Sequence, residues 1–247
     1  MRDGLVMIAD TRTNAGLDNV STFRKLHVFS KPGERIMAIA SAGNLAISQS
    51  VLSTLTEGLE DPHSGEIETL LNSPTMFQAA QRIGRAIRSV HATEGHALRS
   101  EDITFDVSFL FGGQIKGSRM RLFMVYPAGN FIECTTDTPY LQIGEHKYGK
   151  PVLDRAMHYD VELYEALKTS LISMDSTMRS TLASVCRLTF WWCETRSVTP
   201  ISTTALRRAS RIFTICVRAG RQRCAPHIRI FQDHPTNHRR NQEGRRQ

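Results

Sequence analysis

Residues 3–16 have the sequence DGLVMIADTRTNAG, an apolar run that ends in an acidic residue and a polar loop. The run Gly4–Asp10 has the length of a buried strand, and the Thr, Arg and Asn residues after it are typical of a loop. Lys25 follows Asp10 by 15 residues, within the mixed segment FRKLH. The sequence therefore predicts a strand that carries Asp10 at its end, followed across a loop by a segment that carries Lys25.

Short apolar runs alternate with helical patterns along the chain up to residue 180. Further strands are predicted at residues 35–41, 103–111 and 119–126, with Gly112 and Gly113 forming the turn between the last two. Helices are predicted from Asn44, after Ser73-Pro74 and from about residue 161. The apolar stripe of the second helix consists of Met76, Ala80, Ile83, Ile87 and Val90. The inward positions of the last helix are predicted to be Leu163, Tyr164, Leu167 and Leu171. This order predicts an α/β (α+β) domain in which helices cover sheet layers.

The composition changes near residue 180. Residues 181–247 contain 13 Arg, no Lys and three acidic residues, whereas residues 1–180 hold 18 basic and 21 acidic residues. Both Trp and four of the five Cys also lie in this last part. The Arg-rich tail can be interpreted as a disordered extension, as a nucleic-acid-binding arm or as a segment translated out of frame. The nucleic-acid hypothesis is weakened because the tail lacks the interleaved aromatic residues of a stacking platform.

The genetic code supports the out-of-frame interpretation. The segment FWWC at residues 190–193 has nearly fixed codons. In the frame that starts on each third base, these codons give Leu-Val-Val. One base lost after Ser180 also allows residues 181–194 to be restored as NLSVGLPIDVLVVR, which contains a turn followed by an aliphatic strand. We therefore expect residues 181–247 not to be a native domain, and we expect a sheet strand to be missing after the last helix.

Longer segments resemble one known family. They are DTRTNAG and STFRK within residues 10–25, SAGNLA at residues 41–46, YPAGNFI at 126–132, DTPYLQIGEHKYGKPVLDR at 137–155 and MDSTMRS at 174–180. Together they resemble the bacterial Anbu group, proteasome-type proteins of the N-terminal-nucleophile hydrolases. The resemblance spans most of residues 1–180 and implies a four-layer αββα sandwich, incomplete here at both ends.

The resemblance also implies a site. In that family an N-terminal Thr or Ser attacks a carbonyl, while its own α-amine or a water molecule takes the proton. By position, Asp10 and Lys25 correspond to the charged pair beside the nucleophile, and Gly43 to the backbone N–H that faces the oxyanion. Thr13 and Asn14 correspond to the strand edge on which an extended peptide binds. A looser correspondence places Asp175, Ser176 and Ser180 in the region that supports the nucleophile.

The same resemblance places the nucleophile about seven residues before Met1, so a polypeptide that begins at Met1 is expected to be inactive. The leading hypothesis is a threonine-type peptidase or other amide hydrolase that assembles into a homo-oligomeric ring or spiral. The alternative is a non-catalytic subunit of such an assembly. No cofactor is expected. No metal is expected either, because the His and Cys residues lack ligand spacing.

The absence of a signal-peptide pattern and of a run of about 18 apolar residues predicts a cytoplasmic chain without a membrane span.

Overall fold

The computed structural model describes residues 1–12, 23–61, 64–180, 185–194, 210–218 and 231–232. Its strands are β1 Gly4–Asp10, β2 Leu26–Lys31, β3 Arg35–Gly43, β4 Leu59–Glu60, β5 Ile67–Glu68, β6 Val107–Ile115, β7 Arg121–Val125, β8 Phe131–Glu133, β9 Val185–Glu194, β10 Ser210–Arg218 and β11 Phe231–Gln232. Its helices are α1 Leu45–Glu57, α2 Met76–Ser100, α3 Lys150–Ala156 and α4 Leu163–Ser180. Over the described ranges, no helix has both the length and the apolar character needed to cross a bilayer.

The strands form two main antiparallel sheets. One has the order β2-β3-β6-β7-β8 and the other the order β1-β9-β10-β11. One core cluster joins the five-stranded sheet to α1 and α2, and a second joins residues of β1 and β9 to residues of β2 and β3. Helix α4 packs against β1. The mixed α/β class predicted from sequence is therefore confirmed.

The three predicted helices are confirmed, and each begins close to its predicted start. Asn44 caps α1, since its side-chain oxygen accepts a hydrogen bond from the Ile47 N–H at 3.2 Å. All five residues of the predicted α2 stripe are buried. The inward placement of Tyr164 in α4 is wrong, because that side chain is 66% exposed and Ala166 is buried instead. Tyrosine can take either environment, so its presence in an apolar series does not fix the buried face.

The predicted turn at Gly112 and Gly113 is also wrong. Both residues lie inside β6, which runs to Ile115 before the chain turns. A Cβ on Gly112 would lie 2.4 Å from the Leu5 side chain of the facing sheet, and a Cβ on Gly113 would lie 2.2 Å from the Ile36 carbonyl oxygen. These glycines allow close packing rather than a reversal of the chain.

The expected loss of a strand after α4 is wrong as well. Residues Val185–Glu194 form β9, which pairs with every residue of β1, from Gly4 opposite Glu194 to Asp10 opposite Leu188. Trp191 lies opposite Met7 and is completely buried between the sheets. The sequence did not predict this strand because residues 185–194 have apolar side chains on both faces. They therefore lack the period-2 alternation of a half-buried strand. The DNA reading frame is a separate matter that strand pairing does not test.

Burial of β9 predicts the reactivity of Cys193. Burial raises the pKa of this thiol to about 12, and the side chain is almost fully enclosed. At pH 8 we expect iodoacetamide to modify Cys193 at least about a hundredfold more slowly in the native protein than in urea. Peptide mapping by mass spectrometry distinguishes it from the half-buried Cys134. Equal labelling rates with and without urea would show that β9 is not docked on β1.

Candidate functional site

An ion pair joins the two residues that the sequence singles out. Asp10 is the last residue of β1, and Lys25 directly precedes β2. The Lys25 Nζ donates a hydrogen bond to Asp10 Oδ1 at 2.8 Å. Their side chains are 22% and 28% exposed, so the pair is partly shielded from water. The structure therefore holds the Lys25 ammonium in an ion pair at the end of β1.

Backbone hydrogen bonds hold both partners in place. The second carboxylate oxygen of Asp10 accepts a bond from the Arg12 N–H at 3.2 Å. The Phe23 N–H donates to the Thr11 carbonyl at 2.7 Å, which ties the segment entering Lys25 to the segment leaving Asp10. The Ser41 N–H donates to the Lys25 carbonyl at 3.0 Å and so links Lys25 to β3. A part-buried pair of this kind contributes about 0–1 kcal/mol to stability, so its main consequence is the position of the lysine charge.

Gly43 ends β3, two residues after the Ser41 link to Lys25. Its φ is +102°, in the region that favours glycine. A Cβ at this position would lie 2.4 Å from the Asp106 carbonyl oxygen, which also accepts a hydrogen bond from the Asn44 N–H at 2.7 Å. The backbone here turns from strand into the capped start of α1. Only a residue without a side chain fits this connection.

This geometry predicts a large loss of stability for Gly43→Ala. We expect a decrease of about 3 kcal/mol in the free energy of unfolding, because left-handed strain adds to a clash with backbone atoms. The matched control is Gly117→Ala, where φ is +81° but no atom lies within 4 Å of the added Cβ. Strain alone should cost the control about 1 kcal/mol. Urea denaturation of the two variants measures the difference, and equal losses would exclude the clash at Gly43.

The same fold occurs in solved structures of proteasome-type proteins. Anbu (ancestral β-subunit) from Yersinia bercovieri is 47% identical, with a TM-score of 0.69 and 78% of each chain covered. The Gly-1 mutant of Anbu from Hyphomicrobium sp. strain MC1 is 48% identical, with a TM-score of 0.66 over 76% of this chain and 77% of that one. The chain belongs to the Anbu family.

A third solved structure is the helical assembly of the Anbu complex from Pseudomonas aeruginosa. Its chain is 39% identical to this one, with a TM-score of 0.67, and the match covers 83% of this chain and 88% of that chain. No family model matches the chain, and a search of curated proteins gives no match either. Structural similarity at these identities thus confirms the Anbu resemblance that the sequence motifs indicate.

The other site residues that the Anbu resemblance names do not bond to the Asp10–Lys25 pair in the described part of the chain. Asp175 forms an ion pair with Arg179 at 2.8 Å. The hydroxyls of Ser176 and Ser180 donate to carbonyls one turn earlier in α4. Within the described ranges, the structure gives none of these three a hydrogen bond or ion pair to Asp10 or Lys25. Thr13 and Asn14 lie outside the described residues.

Three backbone groups of the site escaped the sequence prediction. The N–H of Arg12, the N–H of Ser41 and the carbonyl of Asp106 hold Asp10, Lys25 and the Gly43 connection. Main-chain groups occur in every residue, so residue type gives no signal for them. In the part of the chain that the structure describes, no cluster of three or more His, Cys, Asp or Glu residues could hold a metal ion.

Proposed function

We propose that this Anbu family member is an amide hydrolase of the N-terminal-nucleophile type, with a Thr or Ser nucleophile placed before β1. The observation that carries the proposal is the 2.8 Å pair between Lys25 Nζ and Asp10 Oδ1 at the end of the strand that would follow the nucleophile. Proteasome-type structures with 39–48% identity support the hydrolase class.

The proposed chemistry assigns a role to each group. The nucleophile's hydroxyl adds to the amide carbonyl, and its proton passes to the nucleophile's own α-amine or to a water molecule. The Lys25 ammonium lowers the pKa of that amine by like-charge repulsion and keeps it neutral at physiological pH. The Gly43 N–H donates to the oxyanion. The proton then goes to the leaving amine, the acyl group remains on the hydroxyl oxygen as an ester, and water hydrolyses this ester.

Two finer features belong to the same proposal. The helices and two sheets are proposed to form the four-layer αββα order, with α1 and α2 on one side and α4 on the other. An extended peptide is proposed to pair with the strand edge at Thr13 and Asn14, which would present its carbonyl to the nucleophile.

The proposed oligomer is a homo-oligomeric ring or spiral, supported by the helical assembly of the Pseudomonas aeruginosa relative. Light scattering after size exclusion tests it. We expect a mass several times the 27.8 kDa of one chain. A monomer at all concentrations would contradict the proposal. Assembly without hydrolysis would favour a non-catalytic subunit.

Covalent trapping tests the nucleophile. The chain is produced with an N-terminal extension that places a free Thr or Ser about seven residues before Met1, borrowed from the Yersinia bercovieri relative. It is then treated with a peptide that carries an electrophilic carbonyl. We expect mass spectrometry to locate one adduct on the first residue of the extended chain. An adduct at any other residue, or none while the fold is intact, would contradict the proposed nucleophile.

We also infer that residues from 181 onward come from a displaced reading frame. Trp191 supports this proposal, since its indole N–H is buried with no hydrogen-bond partner among the described residues. An unsatisfied buried donor costs about 1–3 kcal/mol. The restored frame places leucine at this position. Sequencing the gene across the Ser180 codon should reveal one additional base, whereas a gene that encodes residues 181–247 without that base would refute the inference.

A further inference from the structure

A cleft of about 440 Å³ opens beside the N-terminal half of α2 and the turn between β7 and β8. Its walls include Arg82, Arg85 and Arg88, which follow one another at intervals of three residues. Side chains with this spacing lie on one face of a helix. The cleft lies on the α2 face, and its walls contain neither Asp10, Lys25 nor Gly43.

Arg82 has a structural role. It is buried, and its guanidinium donates to the Thr69 carbonyl at 2.6 Å, to Asn72 Oδ1 at 2.6 Å and to Ser73 Oγ at 2.7 Å. It also pairs with Glu68 at 2.8 Å. These bonds fasten α2 to the chain that precedes it and form the floor of the cleft.

The other two arginines differ in their acidic partners. Arg85 pairs with Glu68 at 2.5 Å and lies 3.8 Å from an Asp61 carboxylate oxygen. Arg88 is exposed, and its Nη1 donates to the Gly129 carbonyl at 3.1 Å. No ion pair of Arg88 occurs within the described ranges. The cleft walls thus contain one carboxylate, that of Glu68, and three guanidinium groups, so a net positive charge remains even when the Asp61 carboxylate is counted.

The rest of the wall suits a ligand with a polar and an apolar end. The exposed amide side chains of Gln78 and Gln81 border the arginines. The half-buried ring of Phe131 also lines the cleft, and the Phe77 ring packs edge-on against it at 5.4 Å. Guanidinium groups bind phosphate through paired N–H donors, and amides add further donors. A volume of this size accommodates a small organic molecule.

We propose that this cleft binds a small phosphorylated molecule, with the phosphate on Arg88 and Arg85 and the organic part against Phe131. Arg88 is the central ligand residue because its charge has no carboxylate partner among the described residues. The proposal is independent of the proposed hydrolysis.

Titration calorimetry of the full 247-residue chain tests the site with two probes, inorganic phosphate and phenyl phosphate. We expect saturable binding of both at one site per chain, with phenyl phosphate tighter because its ring contacts Phe131. Arg88→Ala should weaken phenyl phosphate about tenfold or more. Arg88→Lys should recover only part of the loss, because an ammonium group lacks the paired donors. Binding of inorganic phosphate alone would limit the site to a free anion and overturn the assigned ligand class.

Two further variants distinguish specific binding in the cleft from non-specific attraction of an anion to a basic protein. Arg99→Ala removes an arginine from the last turn of α2, outside the cleft, and should leave binding unchanged. Asp61→Asn removes the rim carboxylate beside Arg85 and should tighten binding a few-fold. Circular dichroism confirms that each variant is folded. Equal weakening by Arg88→Ala and Arg99→Ala, or no saturation at millimolar probe, would overturn the proposal.

Discussion

Replacing the nucleophilic Thr or Ser with alanine in the extended chain is expected to lower peptide-amide turnover about 10⁶-fold. The magnitude follows from removal of nucleophiles in covalent hydrolases, where binding and oxyanion stabilisation alone leave a small residual rate. A fluorogenic peptide amide assayed under single-turnover conditions measures the effect. Thermal unfolding of both versions checks that the loss of turnover is not a loss of folding.

A second variant separates the hydroxyl from the amine. One glycine placed before the nucleophile keeps the hydroxyl and moves the free α-amine out of reach. We expect this variant to lose nearly as much activity as the alanine variant if the amine itself acts as the base. If a water molecule takes the proton, the glycine variant will retain more activity. An alanine variant within tenfold of the parent would contradict N-terminal-nucleophile catalysis.

Lys25→Ala in the same extended chain is expected to lower kcat/KM about 10²–10⁴-fold. Without the ammonium group, the pKa of the neighbouring α-amine rises and the neutral, basic form becomes rare at pH 7. The acidic limb of the pH profile should therefore move to higher pH. The matched control is Lys31→Ala, which removes an exposed lysine paired with Glu34 at the far end of β2. Its activity should stay within twofold of the parent.

Asp10→Asn tests whether Asp10 acts by positioning the Lys25 side chain or by its own negative charge. Its amide oxygen can still accept from Lys25, but the ion pair with Lys25 is lost. We expect an intermediate loss of kcat/KM from poorer placement of Lys25, with the acidic limb moved slightly to lower pH, because the Asp10 carboxylate no longer offsets the Lys25 charge. The idea of a charged pair fails if Lys25→Ala changes kcat/KM by less than threefold, or if its pH profile matches that of the parent.

The sequence predicted the parts of the fold that depend on side-chain periodicity. The α2 stripe is an example, since five apolar residues at helical spacing can be buried only on one face. The Gly112-Gly113 pair misled the prediction because a close approach between sheets and a turn both select glycine. Local sequence does not contain the position of Leu5, which decides between them.

The site was predictable only in part. The resemblance named Asp10 and Lys25, and the structure brings their side chains into contact across 15 residues. Asp175, Ser176 and Ser180 have partners within α4, and their correspondence to the region that supports the nucleophile stays a prediction. The contacts that position Lys25 are main-chain bonds, whose partners depend on register between β2 and β3 rather than on residue type.

The pairing of β1 has a consequence for the charged site. In its sheet β1 has β9 as its described ladder neighbour, with Asp10 opposite Leu188. A local opening that releases β9 removes the ladder hydrogen bonds of β1, so that only packing against α4 and the facing sheet then holds Asp10 beside Lys25. Substitutions in residues 185–194 would therefore change how long the Lys25 ammonium stays in position. They would do so by changing the lifetime of the β1–β9 pairing, without any direct contact with Lys25.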